Sequence, residues 1–241
     1  MSTATRMTRP LAIAVAALAC FALSACAPGS DVAAPEPSAT VSDSPSPTPS
    51  ASEAAHSPGV SELELTPNGM GTLVIGEAPS TDPDFQMLEM DPAACSDENT
   101  GFGAGVEAGD PEAIRWVPIA AYDVPDGYPH WSVSVIDGVL MRIDLHDSSV
   151  PTDEGIRIGD PRAAALAAYP GAMVAEEWGT DVLVVPGAHG VLHIEIARDP
   201  GGDGAGYWGD QVDTVVFIRA VDLEGGVFTV AASDNIAGGC L

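Results

Sequence analysis

Between Trp131 and Leu145 the chain alternates apolar and polar side chains on both sides of Asp137-Gly138. Alternation with period two sends successive side chains to opposite faces, so this stretch predicts two antiparallel strands joined by a tight turn. A two-residue loop sets Met141 across from Ser134 and Ile143 across from Ser132. A three-residue loop, Ile136-Asp137-Gly138, sets Val135 against Val139, Val133 against Met141 and Trp131 against Ile143. The second register gathers every large apolar residue on one face, and it is the one expected, with Gly138 left-handed in a bulge.

The pattern changes over residues 155–171. A short strand at 156–158 ends at Gly159. Asp160 reads as an N-cap with Pro161 in the first helical position; alanines carry the helix and Pro170-Gly171 stops it. Leu166 and Tyr169, three apart, are expected on its buried face. Strand patterns then crowd together at 172–175, 181–185, 191–197, 212–220 and 226–231, punctuated by glycine and proline, which predicts a meandering antiparallel sheet. A faint repeat runs through the domain. Thr66-Pro67-Asn68-Gly69, Leu73-Val74-Ile75-Gly76 and Asp82-Pro83, opening a short helix near 85–88, are echoed by Thr152-Asp153-Glu154-Gly155, Ile156-Arg157-Ile158-Gly159 and Asp160-Pro161. Chance reuse of short turn chemistry produces the same echo. The expected fold is α+β, dominated by antiparallel sheet, in one domain over 61–241; a true repeat divides it into two degenerate helix-plus-sheet halves, 61–150 and 151–241.

The N-terminus follows other rules. Arg6 and Arg9 precede an uncharged apolar run at 11–23, shorter than the roughly 20 residues a spanning helix needs. A basic start, a short apolar stretch and small residues before a cut site describe an export signal. Leu23-Ser24-Ala25-Cys26 resembles the lipobox of bacterial lipoproteins. The resemblance implies that leader 1–25 is removed, with Cys20 in it, and that the Cys26 sulfur carries a diacylglyceryl group. The lipid bilayer is then a partner through Cys26, and the domain lies on the extracytoplasmic side of the cell membrane. Residues 26–60, rich in Ser, Pro, Ala and Thr, hold few large apolar side chains. Such a segment cannot offset its ordering entropy by burial and is expected to be a disordered tether.

Charge narrows the function classes. The net charge is -27, from 35 acids and 8 bases, none of them lysine. Loss of Arg6 and Arg9 with the leader leaves six arginines against the same acids. This argues against nucleic-acid binding, which needs basic surface to replace counterions, and against adhesion to anionic head groups. It suits a solvated acidic surface, or attraction of divalent cations or a basic partner. The two cysteines outside the leader and anchor, Cys95 and Cys240, are expected to form a disulfide in an exported domain.

No reaction motif stands out. His189 and His193 are four apart, but on a strand that spacing is about 13 Å, too far for one zinc ion. His146, flanked by Asp144 and Asp147, reads either as a general base held by a carboxylate or as a solvated strand end. The segment from Asp199 to Asp210 places Asp199, Asp203 and Asp210 at positions one, five and twelve of a calcium-loop spacing. Its third position is glycine, its last lacks the bidentate Glu, and its flanks read as strands, so a true EF-hand is rejected. A calcium site at those three carboxylates and a plain hairpin loop both stand. In the same loop Tyr207 and Trp208 offer an aromatic platform for a sugar or a protein, unless Trp208 folds back on the core.

With its helix-opening Asp160-Pro161 unit, its terminal cysteine after Gly238-Gly239 and its lysine-free, Ala/Gly/Pro/Asp/Val-rich composition, the chain resembles an actinobacterial family of secreted lipoproteins of unknown role. In architecture it is distantly similar to the β-lactamase-inhibitor protein and to the small lipoproteins of the barrel-assembly machinery. Their helix-rich first half is weak here and only one cysteine pair is present, so no inhibitor role is carried over. What these families imply is protein binding. The expected function is therefore a membrane-anchored surface lipoprotein with a non-catalytic domain that binds a protein or an envelope polymer, without a cofactor. The alternatives are an envelope enzyme using His146 and its neighbouring carboxylates, and a calcium-responsive structural module.

Overall fold

The computed structural model describes residues 57–101, 103–124, 128–233 and 235–240. The leader, the Cys26 anchor and the tether through residue 56 lie outside the described residues. Residues 57–60, assigned above to the tether, belong to the domain. Ser57 Oγ donates to the Gln86 carbonyl at 2.8 Å, and Tyr122 donates its hydroxyl to the Pro58 carbonyl at 2.8 Å.

Among the described residues, eleven strands form three antiparallel sheets. β1 (Leu65–Thr66), β2 (Gly69–Met70) and β3 (Leu73–Val74) make a small meander, and β4 (Leu88–Asp91) pairs with β5 (Arg115–Pro118). The main sheet holds β6 (Trp131–Ile136), β7 (Val139–Leu145), β8 (Met173–Glu177), β9 (Thr180–Pro186), β10 (Gly190–Ala197) and β11 (Val215–Asp222), in the order β6-β7-β11-β10-β9-β8. Among the described residues the α-helices are α1 (Asp97–Thr100) and α2 (Arg162–Ala168), with a few single-turn 3-10 helices besides. Among the described residues no helix is long and apolar enough to cross a membrane.

Cross-strand rows give the sheet two unlike faces. Trp131, Leu145, Ile218, Ile194, Leu183 and Val174 stand opposite one another in sequence across all six strands. Val133, Ile143, Ala220, Leu192 and Val185 form the neighbouring row. These rows as far as β9, with Leu65, Met70, Leu73 and Ile75 from the small meander and Ala165 and Tyr169 from α2, form the core. Each fully buried Leu or Ile contributes about 1.5–3 kcal/mol.

The other face carries Ser132, Asp144, Arg219 and His193 in one row, and Phe217 opposite Glu195 in the next. Glu195 and Arg219 form an ion pair with both side chains fully buried. Glu195 also accepts from the Val230 amide at 2.8 and 3.0 Å, the Ala231 amide at 3.0 Å and the Thr229 hydroxyl at 2.9 Å. Arg219 donates to the Phe228 carbonyl at 2.5 Å and lies over the Phe228 ring. Further along, the Ala237 amide donates to Asp144 at 2.7 Å and Arg142 donates to the Asn235 carbonyl at 2.7 Å. The C-terminal segment is thus strapped over this face by buried charges. The disulfide between Cys95 and Cys240, with Cα atoms 5.3 Å apart, fixes its end.

His193 lies in this layer, 1% exposed, and its Nδ1 has no hydrogen-bond partner. Burial first, then the Arg219 and Arg142 cations, lower its pKa to about 4. Below its unfolded value, near 6.5, the unfolded chain takes up a proton that the folded protein refuses. Stability present above pH 6.5 is therefore lost as the pH falls toward 4, by on the order of 3 kcal/mol. Urea unfolding between pH 7 and 4 will show this slope, and His193→Gln will flatten it.

Several expectations need correction. The 131–145 hairpin turns on two residues, Asp137 and Gly138, both at positive φ (51° and 79°), rather than on three. The register then slips beside Val135, leaving Met141 as the extra residue in β7. That slip brings Ile143 across from Val133 and Leu145 across from Trp131. The demand for one apolar face is met by a bulge within the strand and not by the loop. In α2, Pro161 is the N-cap and Asp160 instead accepts from the Arg157 amide at 2.8 Å. Ala165 and Tyr169 take the buried face, one turn apart, while Leu166 is exposed. Residues 156–158 and 226–231 are not strands, and 85–88 is a turn running into β4 rather than a helix. The elements matched between the two halves therefore differ, and strands from both halves share the main sheet.

Candidate functional site

The β8 end of the main sheet leaves apolar surface in the open. β8 and β9 join through Trp178-Gly179. Gly179 has φ of +70°, and a Cβ there would lie 3.1 Å from Trp208 Nε1, so the position excludes larger residues. Trp208 fills the adjoining space. Its Nε1–H donates to the Gly179 carbonyl at 2.5 Å, and the ring is buried. Tyr207 stands edge-on to Trp208, with centroids 4.8 Å apart, and edge-on to Trp178 at 5.1 Å. Such contacts are worth about 0.5–1.5 kcal/mol each beyond area burial. Trp178 and Tyr207 nevertheless stay 53% and 52% exposed. Of the two expectations for this loop, the structure has Trp208 folded back as the anchor beneath; Tyr207 stays exposed, and Trp178 is the second exposed ring.

The charges around this corner are arranged unequally. Asp181 receives both nearby guanidinium groups: Arg162 pairs with one carboxylate oxygen and Arg198 with the other at 3.0 Å. Arg162 also reaches Asp213 at 2.8 Å, and Arg198 donates to the Glu177 carbonyl at 2.8 Å. This cluster ties α2, β8, β9 and the start of the 199–210 loop together. It also turns the local cations inward, while Glu176, Asp203 and Asp210 remain exposed. Asp199 accepts from the Gly201 amide at 3.0 Å and the Gly206 amide at 3.4 Å, so it shapes the loop's own turn. Among the described residues no group of three or more His, Cys, Asp or Glu side chains is placed to hold a metal ion. The three carboxylates expected to hold calcium are not brought together.

β8 is an outermost strand, and its ladder with β9 is unbroken from Met173 to Glu177. Apart from the Glu177 carbonyl, no main-chain group of β8 has a hydrogen-bond partner outside that ladder among the described residues. Met173 and Val174, on opposite faces, are 60% and 45% exposed. Val174 ends the row that begins at the buried Trp131, so the core's apolar row runs out to solvent here.

His146 lies elsewhere. Its Nε2 is 2.8 Å from Ser132 Oγ, and Tyr128 stands edge-on to its ring. Burial lowers its pKa, with Asp144 and Asp147 opposing and Arg142 assisting, so it is neutral at pH 7. The carboxylates expected to hold it are engaged with other groups: Asp147 with His130 at 2.5 Å, and Asp144 with Arg142 at 2.6 Å and the Ala237 amide. His146 borders a cavity of about 380 Å³ together with Tyr128, Trp208, Phe217 and Ile236, and no carboxylate lines it. Ser132 does not line it either. A larger cleft, about 760 Å³, runs between β5, β6 and residues 235–240 and contains Arg115 and Arg142 but no histidine.

No family model and no curated protein matches this chain. A solved structure of the uncharacterized protein yfeY from Escherichia coli matches with 15% identity and a TM-score of 0.38. The match covers 66% of this chain and 99% of that one.

Sequence reading missed Trp178, Glu195 and Arg219. Trp178 is one aromatic residue before a glycine, and no periodicity marks it. Glu195 and Arg219 interrupt the apolar runs of β10 and β11, and local sequence does not distinguish a buried ion pair from two solvated charges.

Proposed function

We propose that this is a surface lipoprotein, held to the outside of the membrane through Cys26, whose domain works as a non-catalytic binding module for a protein or an envelope polymer. The observation that carries this reading is the exposed Trp178–Tyr207 pair, held rigid by the buried Trp208. Rigid aromatic rings offer large contact area at low entropic cost, and they are the residues that most often dominate binding energy. The enzyme alternative gains no support, because the cavity beside His146 lacks both a carboxylate and Ser132. We describe the domain as α+β, since α2 lays Ala165 against the core of the sheet.

The test is photo-cross-linking on living cells from a reactive group at position 178. We expect a specific adduct, reduced at least tenfold when Tyr207→Ala is added, with the melting temperature nearly unchanged. In the same cells Cys26→Ser will move the protein from the membrane to the medium. Labelling that is diffuse and indifferent to Tyr207 overturns the binding reading; Cys26→Ser protein that stays in the membrane overturns the anchor.

A further inference from the structure

Building on that reading of the corner, we infer that the partner is an extended, cationic peptide segment that adds to the main sheet as a strand along β8. The two edges of the sheet are treated differently. β6 is flanked by β5 and by the C-terminal strap, which comes so close that a Cβ on Gly238 would lie 2.9 Å from the Val133 carbonyl oxygen. The disulfide fixes that cover. β8 has no such cover among the described residues. Proteins usually blunt an open edge with a bulge, a proline or charged side chains, because unpaired main-chain groups invite another strand. β8 has neither bulge nor proline; its charges, Glu176 and Glu177, are acidic, so they deter an anionic strand and not a cationic one.

Charge decides which strand fits. With a net charge of -27 on each chain, two copies repel, so the open edge does not invite a second copy of this protein. Anionic polymers are repelled in the same way. Arg162 and Arg198, the cations of this corner, are both taken by Asp181. An incoming Lys or Arg therefore meets the exposed Glu176 while both guanidinium groups of the corner are already engaged, and beside it stand Trp178 and Tyr207, where cation–π attraction adds to the charge pairing. Main-chain hydrogen bonds give such a complex its affinity, and alternate side chains give it specificity. Along β8, Val174 and Glu176 lie on one face and Met173, Ala175 and Glu177 on the other. The matching strand presents apolar residues beside Met173 and Val174 and basic residues beside the two glutamates.

The test uses the full chain and three blocked ten-residue peptides: one alternating Val and Lys, one alternating Val and Glu, and one Val/Lys peptide N-methylated at every second amide. Titration calorimetry measures binding. We expect the Val/Lys peptide to bind, more weakly as salt rises, and the Val/Glu peptide not to bind. N-methylation, Trp178→Ala and the double variant Glu176→Gln/Glu177→Gln will each raise Kd by about tenfold or more. Equal binding of the N-methylated peptide overturns strand addition, and equal binding of the Val/Glu peptide overturns the cationic partner. Sedimentation that shows dimers abolished by Glu176→Arg gives the edge to a second copy instead. If no peptide binds while the cellular cross-link at position 178 persists, this inference falls and the binding module stands; if both fail, both fall.

Discussion

Glu195→Ala will lower the unfolding free energy by about 3–5 kcal/mol, the usual cost of removing one member of a buried ion pair. The loss has two sources. Arg219 is left charged and fully buried without its direct ion-pair partner, keeping the Phe228 carbonyl and ring and the Asp144 carboxylate on the neighbouring strand, which Arg142 already engages. The Val230 and Ala231 amides lose their acceptor and, lying partly or wholly out of water, find no other. Replacing both Glu195 and Arg219 by leucine is often harmless in other proteins. Here it will recover only part of the loss, because the strap's amides stay unsatisfied. Urea unfolding at pH 7 measures both variants. A single-variant loss below 1 kcal/mol would sink the idea that this carboxylate holds the C-terminal segment down.

Opening the disulfide by Cys95→Ala with Cys240→Ala will cost about 2–5 kcal/mol. The bond closes a loop with a sequence separation of 145, for which loop-closure entropy alone gives about 5 kcal/mol as an upper value. The lower part of the range applies if the Ala237–Asp144 and Asn235–Arg142 hydrogen bonds keep the strap seated without the covalent link. Because Glu195 and the disulfide secure the same segment, their losses will not add. In the triple variant, the shortfall from the sum measures how far the strap behaves as one unit. Thermal melts with and without reductant provide the check, and strict additivity would show two independent halves of the segment.

Both predictions concern the C-terminal segment, whose disulfide the sequence announced but whose path over the sheet it described wrongly. Residues 226–231 read as a strand because Val227, Phe228 and Val230 supply the right residue types. The Val230 and Ala231 amides go to a buried carboxylate rather than to a neighbouring strand. Nothing local encodes that choice, since Glu195 is more than thirty residues away. The Met141 bulge was hidden for a related reason. Alternation around Asp137-Gly138 fixed that a hairpin forms and which face must be apolar, and two different irregularities satisfy that demand. The turn geometry of Asp137 and Gly138 selected the bulge. Leu166 was misplaced because a seven-residue helix buries a narrow stripe, and Ala165 with Tyr169 already occupies it.

The candidate site was half legible. The loop at 199–210 stood out by its glycines and aromatics, and Tyr207 is indeed exposed. Which tryptophan lies beneath and which lies outside depends on a contact between Trp208 and Gly179, across the sheet edge from the loop itself. The asymmetry between a covered β6 and an open β8 follows from strand order, which no stretch of sequence states.

Taken alone, the chain determined the 131–145 hairpin and the strands of the main sheet that follow α2 at 173–197, the helix after Asp160-Pro161, and the pairing of Cys95 with Cys240. These follow from short-range backbone preferences or from having only two thiols to join in the domain. Tertiary structure alone decided that the polar face of the main sheet is buried, that its charges hold the C-terminal strap, and that Trp178 shares the exposed corner with Tyr207. Each of those outcomes depends on groups distant in sequence that must satisfy one another's hydrogen bonds once water is excluded.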